Sequence, residues 1–275
     1  MRHALGIALL VLSLSMLGGC LEGLFFHPDS RHWGTPREAG LRAEDVTIAG
    51  PDAKRLHGWL LPAASPARGT VLHVHGNAAN IGNHLPLVAW LPAAGWNVLL
   101  FDYRGFGKSE GKPSLDGVVA DTRAALEWLR KRPGIDPARI VVVGQSLGGA
   151  TALRVVADDR AQQPVRGLVV DSSFASYRGI AREAAGALKL VVAPLIAGLP
   201  GDASDPVTAA RRITVPLLVM HGSADRMIDI ADSKAIHDAA PGPRKQWFAV
   251  PGAGHLDAFM REDVRGTLIG WLNAL

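Results

Sequence analysis

From residue 70 to residue 275, short apolar runs alternate with longer segments in which apolar residues recur every three or four positions. The short runs are rich in β-branched residues and predict buried strands, whereas the longer segments predict helices. The predicted strands are Val71–His75, Asn97–Asp102, Ile140–Gly144, Gly167–Asp171, Pro216–His221 and Gln246–Val250. The predicted helices are Ile81–Ala94, Leu115–Arg132, Gly149–Asp158, Ile230–Ala240 and Asp257–Leu275. This alternation predicts an α/β domain whose mostly parallel, twisted sheet is covered by helices on both faces.

Two further strand-like runs precede this region, Asp45–Ile48 and Arg55–Leu61. The turn residues Gly50-Pro51-Asp52 join them, which predicts an antiparallel hairpin at one edge of the sheet. Residues 21–42 contain Pro, Gly and His but show no clear hydrophobic period. We therefore expect residues 20–42 to form a tether and residues 43–275 to form the folded domain.

The first residues have the character of a targeting segment. A positive charge at Arg2 is followed by the apolar run 4–17 and then by Gly18-Gly19-Cys20. This order is typical of a secretory signal, and the run is short for a bilayer span, which needs about 20 residues. An uncleaved signal anchor, and a signal cleaved without acylation of Cys20, remain alternatives.

Residues 17–20 also resemble the lipobox of bacterial lipoproteins, which implies removal of residues 1–19 and acylation of Cys20. The protein would then be lipid-anchored in a bacterial cell envelope. Leu21 stands where an Asp would resemble an inner-membrane retention signal. Its identity therefore favours the periplasmic side of the outer membrane.

Composition and charge narrow the class of protein. The 275 residues are 48% hydrophobic and 20% charged, which is typical of a globular chain. The net charge of +4 is small and the sequence has no dense Lys/Arg run, so we expect no nucleic-acid partner. One cysteine excludes an intramolecular disulfide. The histidines are scattered and neither H-E-x-x-H nor G-x-G-x-x-G occurs, so we expect neither a metal site nor a cofactor.

The segment Gly144-Gln145-Ser146-Leu147-Gly148-Gly149 joins a predicted strand to a predicted helix. Glycines on both sides of Ser146 permit a tight, strained turn that lifts the hydroxyl clear of the sheet. This context is that of a nucleophile elbow, and a capping serine in a Gly-rich turn is the alternative.

A serine hydroxyl becomes a useful nucleophile only when a base takes its proton. His255 lies in a Gly-rich loop after the last predicted strand and is the predicted base. Asp225 follows the preceding strand and is the predicted acid that orients His255. Asp171 ends the strand after the elbow strand and is a rival acid. The α/β-hydrolase fold begins with two antiparallel strands, carries its elbow on the fifth strand and has its catalytic residues in the order Ser, Asp, His. The predicted elements and residues follow the same order.

Stabilisation of an oxyanion requires two donors aimed at the position where negative charge develops. The predicted donors are the backbone N–H of Leu147 and the backbone N–H of Asn77, in the loop after the third strand. Gly76 would let this loop approach the substrate closely. His75 is expected to support the loop through hydrogen bonds and not to act as a base.

Five motifs in order resemble the serine α/β-hydrolases of the Bem46-like branch. They are His75-Gly76-Asn77-Ala78, Asp102-Tyr103-Arg104-Gly105-Phe106-Gly107-Lys108-Ser109-Glu110-Gly111, the elbow, His221-Gly222-Ser223-Ala224-Asp225 and Gly254-His255. The resemblance implies a Ser-His-Asp hydrolase without cofactor that acts on esters or thioesters, including small-molecule or lipid-like acyl esters. One branch resembles depalmitoylating enzymes that release palmitate. In the second motif we expect Asp102 and Arg104 to pair with each other.

A long connection separates the sixth and seventh strands, and residues 184–199 within it are nearly all apolar. Residues 174–212 are predicted either to form a short cap over Ser146 or to be an ordinary packed helical segment. In a cap, the side chains of Leu188, Leu190, Val191, Leu195 and Ile196 would line an acyl pocket. The predicted function is a membrane-tethered esterase, thioesterase or lipase. A serine peptidase, an acyltransferase of the same fold and a non-catalytic binding protein are the alternatives.

Overall fold

The computed structural model describes residues 25–159, 161 and 164–275. The predicted signal peptide and Cys20 lie outside these residues. The strands of the main sheet are β1 (Glu44–Ala49), β2 (Arg55–Leu61), β3 (Gly69–Val74), β4 (Trp96–Phe101), β5 (Ile140–Gln145), β6 (Gly167–Asp171), β7 (Leu217–Gly222) and β8 (Lys245–Val250). The helices are α1 (Ile81–Val88), α2 (Leu115–Lys131), α3 (Leu147–Ala157), α4 (Tyr177–Ala185), α5 (Ala193–Ala197), α6 (Pro206–Ala210), α7 (Ile230–Ala239) and α8 (Glu262–Ala274).

The eight strands form one sheet in the order β8-β7-β6-β5-β3-β4-β2-β1. β2 runs antiparallel to both of its neighbours, and the other neighbouring pairs are parallel. The predicted edge hairpin is therefore β1 and β2, and the elbow follows the fifth strand of the sheet. The α/β-hydrolase fold predicted from the sequence is confirmed.

Both faces of the sheet are buried, which explains why the strands are continuous apolar runs. Leu72 and Val142 point into one core cluster together with residues of α2 and α3. Val71 and Val143 point into a second cluster, which contains residues of α1 and α8. The carboxyl ends of β3, β5 and β6 lie side by side, because Gly144 pairs with both Val74 and Val170. This edge brings the loops after those strands together.

Two predicted helices are shorter in the structure. The first ends at Val88 and continues as turns to Gly95, which has a φ of 87° that favours glycine. The last is divided into a 3₁₀ turn, Asp257–Met260, and α8. Arg261 between them is extended, and its guanidinium donates to the carbonyl oxygen of Pro251 at 2.6 Å.

From Phe25 onward, the predicted tether packs against the domain. Phe25 and Phe26 are buried, and the Phe25 ring lies 6.0 Å from the ring of Tyr177. The two-residue strand His27–Pro28 pairs in parallel with Ala78–Ala79 in the loop after β3. Isolated aromatic residues leave no periodic signal, so the sequence did not reveal this docking.

The connection between β6 and β7 contains α4, α5 and α6, together with the 3₁₀ turns Gly186–Leu188 and Asp202–Ser204. Tyr177 is the buried residue of α4, and Ile196 is that of α5. We call residues 174–212 the cap. Within the described part of the chain, no helix is both long enough and apolar enough to cross a membrane.

Candidate active site

Ser146 occupies a strained turn between β5 and α3. Its φ of 55° and ψ of −121° are sparsely populated for a non-glycine residue. A side chain at position 148 would overlap the carbonyl oxygens of Val74 and His75, so glycine is required where the helix meets β3. The Ser146 N–H donates to the carbonyl oxygen of Asp171 at 2.9 Å, which ties the elbow to β6. The predicted elbow geometry is present in the structure.

His255 lies in the loop after β8 and reaches Asp225 in the loop after β7. Its Nδ1 is 2.7 Å from Asp225 Oδ2, and the carboxylate is almost fully buried. Asp225 Oδ1 accepts the N–H groups of Met227 and Ile228 at 2.8 and 3.1 Å. Burial opposes ionisation of Asp225, but these N–H donors and His255 outweigh it and lower the pKa of the carboxyl. A carboxylate held in this way fixes the hydrogen on Nδ1 and leaves Nε2 to accept a proton.

His221 is a second contact of the same carboxylate, and sequence reasoning missed it. Its Nε2 lies 3.2 Å from Asp225 Oδ2 and 3.0 Å from the carbonyl oxygen of Ile228. Its Nδ1 lies 2.8 Å from the Ser233 hydroxyl on α7. Burial lowers the pKa of His221, which favours a neutral ring. The two oxygen acceptors around Nε2 favour a hydrogen on that nitrogen. The histidine that opens the His221–Asp225 motif was the available signal.

Asp171, the rival acid, points elsewhere. Its Oδ2 accepts from Gln145 Nε2 at 2.9 Å, and its Oδ1 accepts from the Ser172 hydroxyl at 3.1 Å. Gln145 Oε1 in turn lies 2.8 Å from Nε2 of the buried His73. Burial raises the pKa of Asp171 to about 6. The structure therefore places Asp225, and not Asp171, on the imidazole of His255.

The two predicted oxyanion donors lie beside Ser146. The Leu147 N–H is in the first turn of α3, where backbone N–H groups and the helix dipole favour negative charge. The Asn77 carbonyl oxygen accepts from the His27 N–H at 3.0 Å, while the Asn77 N–H has no backbone acceptor among the described residues. Asn77, Leu147, Ser146 and His255 all border one cavity.

The buried side chain of His75 supports the loop that carries Asn77. The His75 ring is fully buried, and its Nδ1 donates to the carbonyl oxygen of Gly76 at 2.7 Å. The Tyr103 hydroxyl donates to the carbonyl oxygen of His75 at 2.6 Å. A Cβ at Gly76 would lie 3.7 Å from the Ser146 Cβ, an ordinary van der Waals distance, so this part of the loop passes directly beside the nucleophile. The structure thus gives His75 the supporting position expected from the sequence.

The expected pair between Asp102 and Arg104 is wrong. The Arg104 guanidinium binds Asp121 on α2, with Nη2 2.7 Å from Oδ1. Asp102 Oδ1 instead accepts the Ile81 N–H at the start of α1, at 2.9 Å. The expected pair joined two residues of one motif. The actual partner, Asp121, lies outside that motif on α2, and the motif does not indicate which residues of α2 face it.

The cavity has a volume of about 670 Å³. It lies between the cap and the edge of the sheet that carries the loops of Ser146 and His255, which we call the catalytic edge. From the cap, Ile180, Leu188, Leu195 and Ile196 are among the residues that line it. The prediction was wrong for Leu190 and Val191, which are 82% and 76% exposed and lie outside the cavity. Of the two interpretations of residues 174–212, the cap is the one that the structure supports.

The described residues contain no group of three or more His, Cys, Asp or Glu side chains that could hold a metal ion.

Residues 65–203 and 191–259 match the family model described as "Serine aminopeptidase, S33". The chain belongs to the serine α/β-hydrolase superfamily.

Two relatives illustrate this membership. The protein YfhR of Salmonella typhi is 38% identical over 271 residues, which cover 91% of this chain and 86% of that protein. The bem46 protein of Schizosaccharomyces pombe is 37% identical over 147 residues, which cover 52% of this chain and 48% of that protein. The likeness identifies this hydrolase as a member of the Bem46-like branch.

An esterase of Pyrococcus furiosus superposes on this hydrolase with a TM-score of 0.75 at 22% identity, covering 91% of this chain and 98% of that one. At this identity the likeness concerns the fold. The roles of individual residues in this hydrolase therefore rest on its own geometry.

Proposed function

We propose that this protein hydrolyses carboxylic esters or thioesters through Ser146, His255 and Asp225. The observation that carries the proposal is the contact between His255 and Asp225 at a cavity that also exposes Ser146 on a strained elbow. These are the nucleophile, base and orienting acid that acyl transfer requires, in the chain order of this fold.

In the proposed reaction, Ser146 Oγ attacks the acyl carbonyl carbon while His255 Nε2 takes its proton. The carbonyl oxygen becomes an oxyanion, which accepts hydrogen bonds from the N–H groups of Leu147 and Asn77. His255 then protonates the departing alcohol or thiol and leaves an acyl group on Ser146. Water activated by His255 attacks this ester and releases the carboxylic acid.

The lining of the cavity supports an acyl substrate. Phe174, Ile180, Leu195 and Leu199 form part of its wall. Among the described residues that line it, none is Asp, Glu, Lys or Arg. An apolar wall of this size favours a hydrocarbon chain, because burial removes apolar surface from water without leaving charges unpaired.

The name of the family model supports a second candidate, a serine aminopeptidase. Such an enzyme must hold a protonated amine, and a carboxylate is the usual partner for a cation in a site from which water is excluded. Asp225 is committed to His255 and to two backbone N–H groups. The lack of a carboxylate among the described lining residues therefore favours the ester substrate.

A fluorophosphonate probe tests the catalytic core directly. The parent protein should be labelled at Ser146, and the Ser146→Ala variant should not be labelled. Absence of labelling in the folded parent would favour the non-catalytic alternative. Turnover of p-nitrophenyl acyl esters compared with aminoacyl p-nitroanilides separates an esterase from a peptidase, and faster amide cleavage would reverse our choice.

We further propose that acylated Cys20 tethers the enzyme to the periplasmic side of the outer membrane. The support is the sequence alone, an apolar run that ends in Leu17-Gly18-Gly19-Cys20. Growth with radioactive palmitate should label the parent and leave the Cys20→Ala variant unlabelled. Equal labelling of the two proteins would contradict acylation at this residue.

A further inference from the structure

The tip of the cap exposes large apolar side chains to solvent. Leu188, Leu190 and Val191 are 63%, 82% and 76% exposed, and Met227, in the loop between β7 and α7, is 68% exposed. Leu188 and Met227 also line the cavity. The exposed apolar surface is therefore continuous with the cavity that holds Ser146. A patch of this kind marks a surface that contacts something other than water.

The charges around the patch favour an anionic surface. Residues 177–199 contain three cations, Arg178, Arg182 and Lys189, and one carboxylate, Glu183. Lys189 lies within the apolar tip, and its side chain is exposed. Around Met227, the exposed Arg226 and the exposed Asp229 balance each other, so the excess of cations lies in the cap. Apolar residues interspersed with cations are typical of segments that lie in the headgroup region of a bilayer.

The path of the chain points to the same side of the molecule. Phe25 borders the cavity, and its ring packs against Tyr177 at the start of α4. The sequence before it contains the apolar run 4–17 and Cys20. A chain held at a membrane through those residues would be held next to the cap, because only a few residues separate Cys20 from Phe25.

We propose that the tip, residues 188–191, together with Met227, docks on an anionic lipid bilayer, so that acyl esters pass from the bilayer into the cavity. The docking itself is independent of catalysis, whereas the passage of substrate rests on the ester hydrolysis proposed above. A bilayer is favoured over a second protein because the patch combines flexible aliphatic side chains with cations and opens into an apolar cavity.

Docking can be measured in the full-length protein with a tryptophan at the tip. The Leu190→Trp variant is mixed with vesicles of phosphatidylglycerol and phosphatidylethanolamine, and its emission is compared with that of the parent. We expect a blue shift of the added tryptophan, quenching by brominated acyl chains, and weaker quenching in vesicles of phosphatidylcholine alone. The Ser146→Ala background should give the same quenching, so this test remains decisive even when the proposed activity fails.

Three outcomes overturn the proposal. An added tryptophan that stays solvent-exposed on bound vesicles would show that the cap does not touch the bilayer. Emission that is already blue-shifted without vesicles would indicate that the apolar run 4–17 of the same chain covers the patch. A blue shift that depends on protein concentration, and not on lipid, would indicate that a second copy of the protein covers the patch.

The passage of substrate is tested with the Leu190→Glu/Val191→Glu double variant. Both residues lie outside the cavity, so kcat/KM for soluble p-nitrophenyl acetate should stay within about twofold of the parent. Hydrolysis of a long-chain ester embedded in the anionic vesicles should fall at least about tenfold, since charges replace two exposed aliphatic side chains that docking would bury in the bilayer. Met260→Glu is the matched control, because Met260 is 51% exposed but lies outside the tip and the cavity. An equal loss on both substrates, or the same loss in the control, would overturn the proposal.

Discussion

Replacement of Asp225 by Asn tests which carboxylate orients the proposed base. Asp225 Oδ1 accepts the N–H groups of Met227 and Ile228, and Oδ2 faces His255 Nδ1 at 2.7 Å. In the Asp225→Asn variant, the two N–H donors hold the amide oxygen in the Oδ1 position. The amide NH₂ is then directed at His255 Nδ1, which must become an acceptor.

This change moves the imidazole hydrogen to Nε2, so the atom that should accept the Ser146 proton already carries one. The NH₂ also faces His221 Nε2, which lies 3.2 Å from Oδ2 in the parent. A wrong tautomer of this kind lowers kcat by about 10⁴, which equals about 5.4 kcal/mol at about 1.36 kcal/mol for each factor of ten. The remaining activity would come from the oxyanion donors and substrate binding.

The matched control is Asp171→Asn, because Asp171 contacts Gln145 and Ser172 and not the ring of His255. We expect this variant to lose less than about tenfold in kcat. Initial rates on p-nitrophenyl butyrate give kcat, and near-ultraviolet circular dichroism shows whether each variant is folded. A larger loss in Asp171→Asn than in Asp225→Asn, with both variants folded, would refute our assignment of the acid.

Three further predictions concern the nucleophile, the cavity and the buried acid. Ser146→Ala and His255→Ala should each remove nearly all ester turnover, and the double variant should be little worse, because the residues act as a unit; additive losses would contradict this. In the parent, kcat/KM should rise from acetyl to longer acyl esters by up to about 0.8 kcal/mol per buried methylene, and Leu195→Asp should reduce kcat/KM more for long-chain esters than for acetyl esters; a kcat/KM that does not change with chain length would mean that the cap does not bind the acyl chain. Burial raises the pKa of Asp171 to about 6, above the reference value of 3.8. The contribution of this carboxyl to the free energy of unfolding is therefore complete below about pH 4 and is lost as the pH rises through 6. The unfolding free energy of Asp171→Asn relative to the parent should therefore rise by up to about 3 kcal/mol between pH 4 and pH 8 in urea titrations, and a difference that is constant with pH would contradict the buried, protonatable carboxyl.

The sheet and the catalytic edge could be predicted because their signals are local. The strands of a doubly covered sheet are apolar runs, and β6 has the bounds predicted from the sequence, Gly167–Asp171. The glycines around Ser146 are required by contacts within one turn and with the neighbouring strand. His255 and Asp225 follow strands that end at the same edge, so position along the chain was sufficient to bring them together.

Features that depend on contacts between distant segments could not be predicted. The partner of Arg104 is on α2, and burial of Phe25 depends on Tyr177 at the start of the cap. Leu190 and Val191 have the same apolar character as Leu195, yet they point to solvent and Leu195 lines the cavity. Hydrophobicity predicts that a side chain avoids water, but not which surface covers it.

The catalytic groups and the cap differ in how firmly they are held, and this difference has a functional consequence. Ser146 and the proposed oxyanion donors lie on a sheet edge fixed by buried strands, whereas α4 and α5 each bury one residue. Opening a segment with so few buried apolar side chains costs little free energy compared with distorting the elbow. We therefore expect α4 and α5, and not the whole cap, to shift when an acyl substrate enters, while the reacting groups keep their geometry. Changes in the cap should act mainly on KM, and changes at the edge of the sheet should act on kcat.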